Sequence, residues 1–363
     1  MVSRFVGAVI CCLLLCDIAS IHVKVSGQNE TGLSKQRITL KCSDDQKINE
    51  YVNEIQLCKV KPTQRCVMYG IRIAKSDKII HPYLPEQKHC LIIQRSTINM
   101  LPVDFFKNYS SIKHIDLSNT GLQSIEDFTF SIASMIELNL RGNDLTRLTQ
   151  NAFNGAVNLA SLNLSRNLIS FIDPAAFNNL RSLMNLNLSH NKLSNQSFSD
   201  DDNIMGIDWT VENLQVLDLS YNGIVYYDAL PYNSFTNMKS LEELFLQHNH
   251  MAIDYGAFSS NRNLKTLDFS YNNNPYFEFN LFLSLRKLEN IYLNGNGMWH
   301  SIDLTDIRSS FPKLTSIGIS NNSFPCSILA SIVRKLDKAG IEMIVEENAF
   351  MTNVRNIRGA KCI

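Results

Sequence analysis

Residues Leu159 to Ile169 read LASLNLSRNLI, and residues Leu183 to Leu193 read LMNLNLSHNKL. Both follow one template, apolar-x-x-apolar-x-apolar-x-x-Asn-x-apolar. Upstream the template fits IKHIDLSNTGL (Ile112 to Leu122) and MIELNLRGNDL (Met135 to Leu145). Downstream it fits LQVLDLSYNGI (Leu214 to Ile224), LEELFLQHNHM (Leu241 to Met251), LKTLDFSYNNN (Leu264 to Asn274), LENIYLNGNGM (Leu288 to Met298) and LTSIGISNNSF (Leu314 to Phe324). Nine matches exclude chance. Successive starts lie 23, 24, 24, 31, 27, 23, 24 and 26 residues apart, so seven of the eight spacings fall inside the roughly 20–29-residue period of one solenoid class and one unit is expanded. A weaker unit precedes them in Leu91, Ile93, Ser96, Ile98 and Leu101.

The pattern carries its own physics. Leu162 and Leu164, like Leu217 and Leu219, alternate with polar residues at period two, so each unit supplies a short strand with one buried face. Stacked units must pair these strands in parallel. The amide of Asn143, Asn167, Asn191, Asn222, Asn249, Asn272, Asn296 and Asn322 donates and accepts at once, which suits a buried site where the chain leaves the strand. Thr120 and Ser96 hold that place in the first two units. A phenylalanine ten residues later recurs as Phe106, Phe130, Phe153, Phe177 and Phe282, with Phe258 one residue early, and should form a spine on the opposite side. The expected fold is an α/β repeat solenoid of about ten units: a leucine-rich-repeat horseshoe with a parallel concave sheet.

Such a stack has open ends that need caps. Of nine cysteines, Cys11, Cys12 and Cys16 lie in an apolar run, Phe5 to Cys16, that follows Arg4 and has the length of a secretory signal; residues 1–27 are read as that signal. The remaining six flank the repeats. Cys42, Cys58, Cys66 and Cys90 fall in an amino-terminal cap over residues 28–90, with three possible pairings, and Cys326 and Cys362 in a carboxyl-terminal cap over residues 326–363, leaving the repeats at 91–325. An even count after export implies disulfides and no free thiol. Ile328, Leu329, Ile332, Val333 and Leu336 form a helical stripe expected to cover the last repeat and stop near Gly340. No later run of 18 apolar residues is present, so a secreted chain without a membrane span is expected.

With these elements in hand, the chain resembles secreted leucine-rich-repeat proteins, and its caps look like those of the mosquito-type leucine-rich-repeat immune proteins of insects. The carboxyl-terminal cap carries the likeness: Cys326, Leu329, Ile332, Val333, Leu336, Gly340, Ile341, then Asn356, Ile357, Gly359 and Cys362. The resemblance implies circulation in haemolymph and a part in innate immunity, with a protein partner such as a complement-like protein or another leucine-rich-repeat protein. The sequence stops one residue after Cys362 without a coiled coil, so it is similar to the shorter, coil-less kind, and a monomer or a non-covalent oligomer is expected. Toll-type receptors share the repeats but require a membrane span and a signalling domain, neither of which the sequence shows.

Composition and motifs narrow the function. Lys plus Arg (34) equals Asp plus Glu (34), leaving no global field for nucleic acid, and 45% hydrophobic with 19% charged residues argues against wholesale disorder. No G-x-S-x-G, H-E-x-x-H or P-loop occurs, and Gly295 and Gly297 belong to a repeat turn. His190, His248 and His250 read as solvated turn residues rather than ligands. No enzyme activity, metal or cofactor is expected. Binding should therefore use exposed strand positions. In the first half these are small or polar: Asp116, Ser118, Asn139, Arg141, Asn163, Ser165, Asn187 and Ser189. In the second half they turn aromatic at Tyr221, His248 and Tyr271, with Phe245 and Tyr292 at strand centres, and the insertion with Asp200, Asp201, Asp202 and Trp209 at the border. Glycosylation motifs stand at Asn29, Asn108, Asn163, Asn187, Asn195 and Asn321. The resulting expectation is a secreted recognition or adaptor protein of innate immunity, with a matrix or cell-surface adhesion protein as the alternative.

Overall fold

The computed structural model describes residues 37–39, 65–69, 72–73, 78–80, 88–101, 103, 105–106, 109–132, 134–194, 209–230, 234–346 and 355–363. The chain is a parallel-sheet solenoid of about ten turns. It divides into two compact units, Met1–Leu183 and Met184–Ile363. The predicted signal, Cys42, Cys58, Asn29, Asn108, Asn195 and Asp200 to Asp202 lie outside the described residues.

In the first unit the sheet runs β1 (Arg65–Tyr69), β2 (Cys90–Gln94), β3 (His114–Asp116), β4 (Glu137–Asn139) and β5 (Ser161–Asn163), each parallel to the next. In the second it runs β6 (Asn185–Asn187), β7 (Val216–Asp218), β8 (Glu243–Phe245), β9 (Thr266–Asp268), β10 (Asn290–Tyr292), β11 (Ser316–Gly318) and β12 (Glu342–Ile344), again all parallel. Equivalent repeat positions face one another: Leu138 is opposite Leu162, and Leu244 opposite Leu267. The three template leucines of each turn thereby stack into continuous buried rows, as Leu159, Leu162 and Leu164 illustrate.

The repeated asparagine closes each turn. The Asn143 amide donates to the carbonyls of Leu140 in its own turn and Leu117 in the turn before, while its oxygen accepts the N–H groups of Thr120 and Leu122. Thr120 does part of that work with one hydroxyl, which donates to Leu117 O and to Asn143 Oδ1. The phenylalanine spine stacks as expected: Phe106, Phe130, Phe153 and Phe177 lie with centroids 5.5, 6.1 and 6.2 Å apart in the first unit. In the second, Phe235, Phe258 and Phe282 stack at 5.8 Å each. Phe235, 13 residues after Asn222, escapes a forward count of ten because its turn is longer.

Cysteine-bearing segments lie toward each end of the sheet. In the first unit Cys66 and Cys90, both disulfide-bonded and buried, lie on the adjacent strands β1 and β2. In the second, helix α1 (Cys326–Ala339) buries Leu329, Ile332, Val333 and Leu336, and Gly340 ends it in the left-handed region at φ 66°. That conformation favours glycine because a Cβ there crowds the following carbonyl. Cys326 is bonded to Cys362, which ties the start of the helix to the chain end.

Candidate functional site

In nine successive turns the residue just before the repeated asparagine, or before Thr120 in its place, lies in the left-handed region. Asn119, Gly142, Arg166, His190, Tyr221, His248, Tyr271, Gly295 and Asn321 have φ between 53° and 69°. The N–H of this residue still donates to the neighbouring turn, as Tyr221 does to Gln247 O at 2.9 Å, and the left-handed step then turns the chain away from the sheet. Glycine and asparagine take that conformation readily, whereas a residue such as tyrosine or histidine gives up about 1–2 kcal/mol there. In the second unit four successive turns nevertheless place rings at this position. His190, Tyr221, His248 and Tyr271 stack with centroids 4.3, 4.1 and 4.3 Å apart and planes within 18°. Ring attraction at the spacing set by the strands offsets the backbone strain.

The ladder ends in a polar clamp. A Cβ on Gly295 would lie 2.3 Å from the Tyr271 ring, so the ring rests on the glycine. The Tyr271 hydroxyl donates to Glu346 Oε2 at 2.5 Å and accepts from Asn321 Nδ2 at 2.9 Å, while Asn321 also donates to Glu346 at 2.8 Å. Burial first, and the Glu346 carboxylate with it, hold the Tyr271 pKa up at about 12. Desolvation lowers the His248 pKa; Glu346 opposes that shift and His190 adds to it.

Beside the ladder runs the strand-centre row Asp218, Phe245, Asp268, Tyr292 and Gly318, in register across β7 to β11. Asp218 accepts both the N–H and the hydroxyl of Ser220, and Asp268 accepts the N–H of Ser270. Burial raises the Asp268 pKa; Glu346 and Asp218 push the same way, against the Ser270 hydrogen bonds. Gly318 leaves room for the Tyr292 ring, which a Cβ would meet at 2.9 Å. Among the described residues no cation pairs with Asp218, Asp268 or Glu346, whereas nearby Lys265 is engaged by Glu242 at 2.6 Å. The face therefore presents aromatic rings interleaved with unneutralised carboxylates.

Five of the six surface candidates, Tyr221, Phe245, His248, Tyr271 and Tyr292, are on this face. Tyr221 is 42% exposed and the other four are half-buried. Trp209 is not: it is 0% exposed and belongs to the core. It stands five residues before Leu214, one short of the six by which Phe153, Phe177, Phe235, Phe258 and Phe282 precede their next repeats, and the insertion puts it beyond a forward count of ten from Asn191. In the first half, Asp116 (2% exposed), Asn139, Ser165 and Ser189 are also buried rather than exposed. Asp116 and Asn139 are covered by hydrogen bonding along and across the strands, as when Asn139 Nδ2 and the Ser118 N–H both donate to Asp116. His190 and His248 are stacked members of the ladder instead of solvated turn residues, and His250 lies exposed on the strand His250–Ile253. Asn163 and Asn187 are half-buried and Asn321 is exposed. Sequence reading missed His190 as a ladder ring, although its position in the template gives it away, and missed Glu346, which no repeat signal marks.

Profiles of known families place this geometry in context. A leucine-rich-repeat profile matches residues 133–193, and a BspA-type leucine-rich-repeat region of six copies matches residues 225–324. Toll-like receptor 4 of Bos taurus is 31% identical over 115 residues, which is 31% of this chain and 13% of the receptor. Osteomodulin of Mus musculus is 39% identical over 79 residues, 21% of this chain and 18% of osteomodulin. The matches thus span a small part of either relative. Among solved structures, a leucine-rich-repeat protein of Leptospira interrogans superposes with a TM-score of 0.58 at 23% identity, covering 74% of this chain and 64% of that one. Among the described residues no helix is long and apolar enough to cross a membrane.

Proposed function

We propose that this chain is a secreted, non-enzymatic recognition protein of innate immunity, and that it binds a protein partner on the exposed sheet face of its second unit. The observation that carries the reading is the row Asp218, Phe245, Asp268 and Tyr292 beside the His–Tyr ladder. Half-exposed rings supply the anchors of a protein interface, and unpaired carboxylates favour a partner segment bearing lysine or arginine. The likeness to a Toll-like receptor supports the immune setting. A matrix or adhesion role is the second reading, supported by the likeness to osteomodulin.

The test is capture of partners by the immobilised chain from body fluid of microbially challenged and unchallenged animals, identified by mass spectrometry. A partner enriched on challenge supports the immune reading; an abundant matrix protein captured equally from both supports adhesion. Phe245→Ala and Tyr292→Ala should weaken the captured partner by about 1–3 kcal/mol, roughly five- to a hundredfold, whereas Arg141→Ala, an exposed position of the first unit, should change little. Asp116 is not a suitable control because it is buried and hydrogen-bonded. Equal loss in all three variants would refute this assignment of the face.

A further inference from the structure

Away from the sheet face, the connections that follow β9 and β10 bring three rings together. Tyr276 is 73% exposed and Trp299 is 50% exposed, a large apolar area for neighbouring residues to leave in water. The Tyr276 ring lies 5.8 Å from that of His300 with planes 18° apart, and Trp299 stands nearly perpendicular to both at 6.3 and 5.7 Å. His300 also lines an adjoining cavity of about 350 Å³. Its floor is apolar and buried, formed by Phe277, Phe279 and Phe311, which pack edge to face on one another.

The rim is polar and holds its groups in place. Glu278 accepts from Asn280 Nδ2 at 2.7 Å, and Asp303 accepts the Thr305 N–H at 2.9 Å; all four side chains are exposed. Hydrogen bonds from Thr305 keep the Asp303 carboxyl below its ordinary pKa, so it is a charged acceptor at neutral pH. An apolar floor with a ring of fixed acceptors and donors calls for a ligand with one apolar face and a hydroxyl edge. A pyranose has both. The volume stands near the lower end of the about 300–1,000 Å³ of small-ligand sites and suits one or two sugar rings. A quaternary ammonium fits less well, because Tyr276 and His300 cover a face of each other instead of walling an open box.

We propose that this cavity, with His300 in its lining and the exposed rings of Tyr276 and Trp299 packed around His300, binds one or two pyranose units of an oligosaccharide. The site is separate from the protein-binding face. The chain has only two tryptophans, Trp209, which is buried, and Trp299, which is exposed, so its change in fluorescence on ligand binding reports on Trp299. The full chain is titrated with chitotetraose, laminarihexaose and mannotriose, and separately with choline. At least one oligosaccharide should give a saturable blue shift and protect the emission from acrylamide quenching. By calorimetry, Tyr276→Ala and Trp299→Ala should each weaken that sugar at least tenfold; both side chains are exposed, and an unchanged melting temperature verifies the fold. Phe245→Ala should leave sugar binding intact, and Trp299→Ala should leave protein capture intact, so this site and the sheet face fail independently. No saturable response to any of the three sugars at millimolar concentration, a response to choline alone, or full affinity in the Tyr276 and Trp299 variants would overturn the proposal.

Discussion

Asn296 shows how much one repeated residue does. It is 0% exposed; its oxygen accepts the N–H groups of Asn272 and Asn274, and its amide donates to the carbonyls of Phe269 and Asn294. Asn296→Ala would strand the buried N–H of Asn272, the half-buried N–H of Asn274 and the Phe269 carbonyl, at about 1–3 kcal/mol each, so a loss of roughly 3 kcal/mol or more is expected from urea unfolding. A loss under about 1 kcal/mol would mean that water replaces the amide. This role was legible in sequence, because one residue type recurs at one place and an amide offers two donor hydrogens and an acceptor oxygen on separate atoms, which a hydroxyl does not. Asp116 was not legible. Period-two alternation assigns it to the outward face correctly, but a sideways bond from Asn139 and the N–H of Ser118 two residues on cover it, and alternation is silent on what neighbouring strands supply.

At the scale of elements, the ring ladder ties stability to pH through His248. His248 lies between Tyr221 and Tyr271, with His190 one ring further and Glu346 beyond Tyr271. Its folded-state pKa is below the ordinary 6.5, chiefly by desolvation, so the unfolded chain binds the proton more readily. The stability this group contributes is complete above pH 6.5 and is lost as the pH falls below it. The thermal midpoint of the wild type should therefore drop more between pH 7.5 and 5.5 than that of His248→Phe, which keeps a stacking ring without the titration. An equal drop in both would show that the imidazole is not the responsive group. The helix stripe of α1 and the spine were readable because each repeats a fixed period. Trp209 was misread because a 31-residue unit breaks the forward count, so repeat spacing does not mark it as the buried ring it is.

For the whole molecule the decisive question is how the ends are closed. A solenoid has rows of buried leucine that stop at its termini, and at the carboxyl-terminal end helix α1 buries Leu329, Ile332, Val333 and Leu336 there. Cys326–Cys362, with a sequence separation of 36, closes a loop worth about 4 kcal/mol on the chain-entropy account. Cys66 and Cys90 are disulfide-bonded as well, and on the proposed export, with residues 1–27 as a cleaved signal, Cys42 and Cys58 would complete an even set. A chain exported through an oxidising compartment should consequently hold no free thiol, and any dimer it forms should be non-covalent. Titration of the secreted protein with a thiol reagent in denaturant without reductant should give zero equivalents, and non-reducing electrophoresis should show a single monomer band. Mild reduction should unfold the carboxyl-terminal end before the repeats, seen as early proteolysis within residues 326–363, because that segment depends on one covalent tie while the sheet depends on every turn. One or two titrated thiols, or a dimer band that reductant removes, would mean that a cysteine assigned to a cap instead faces another molecule.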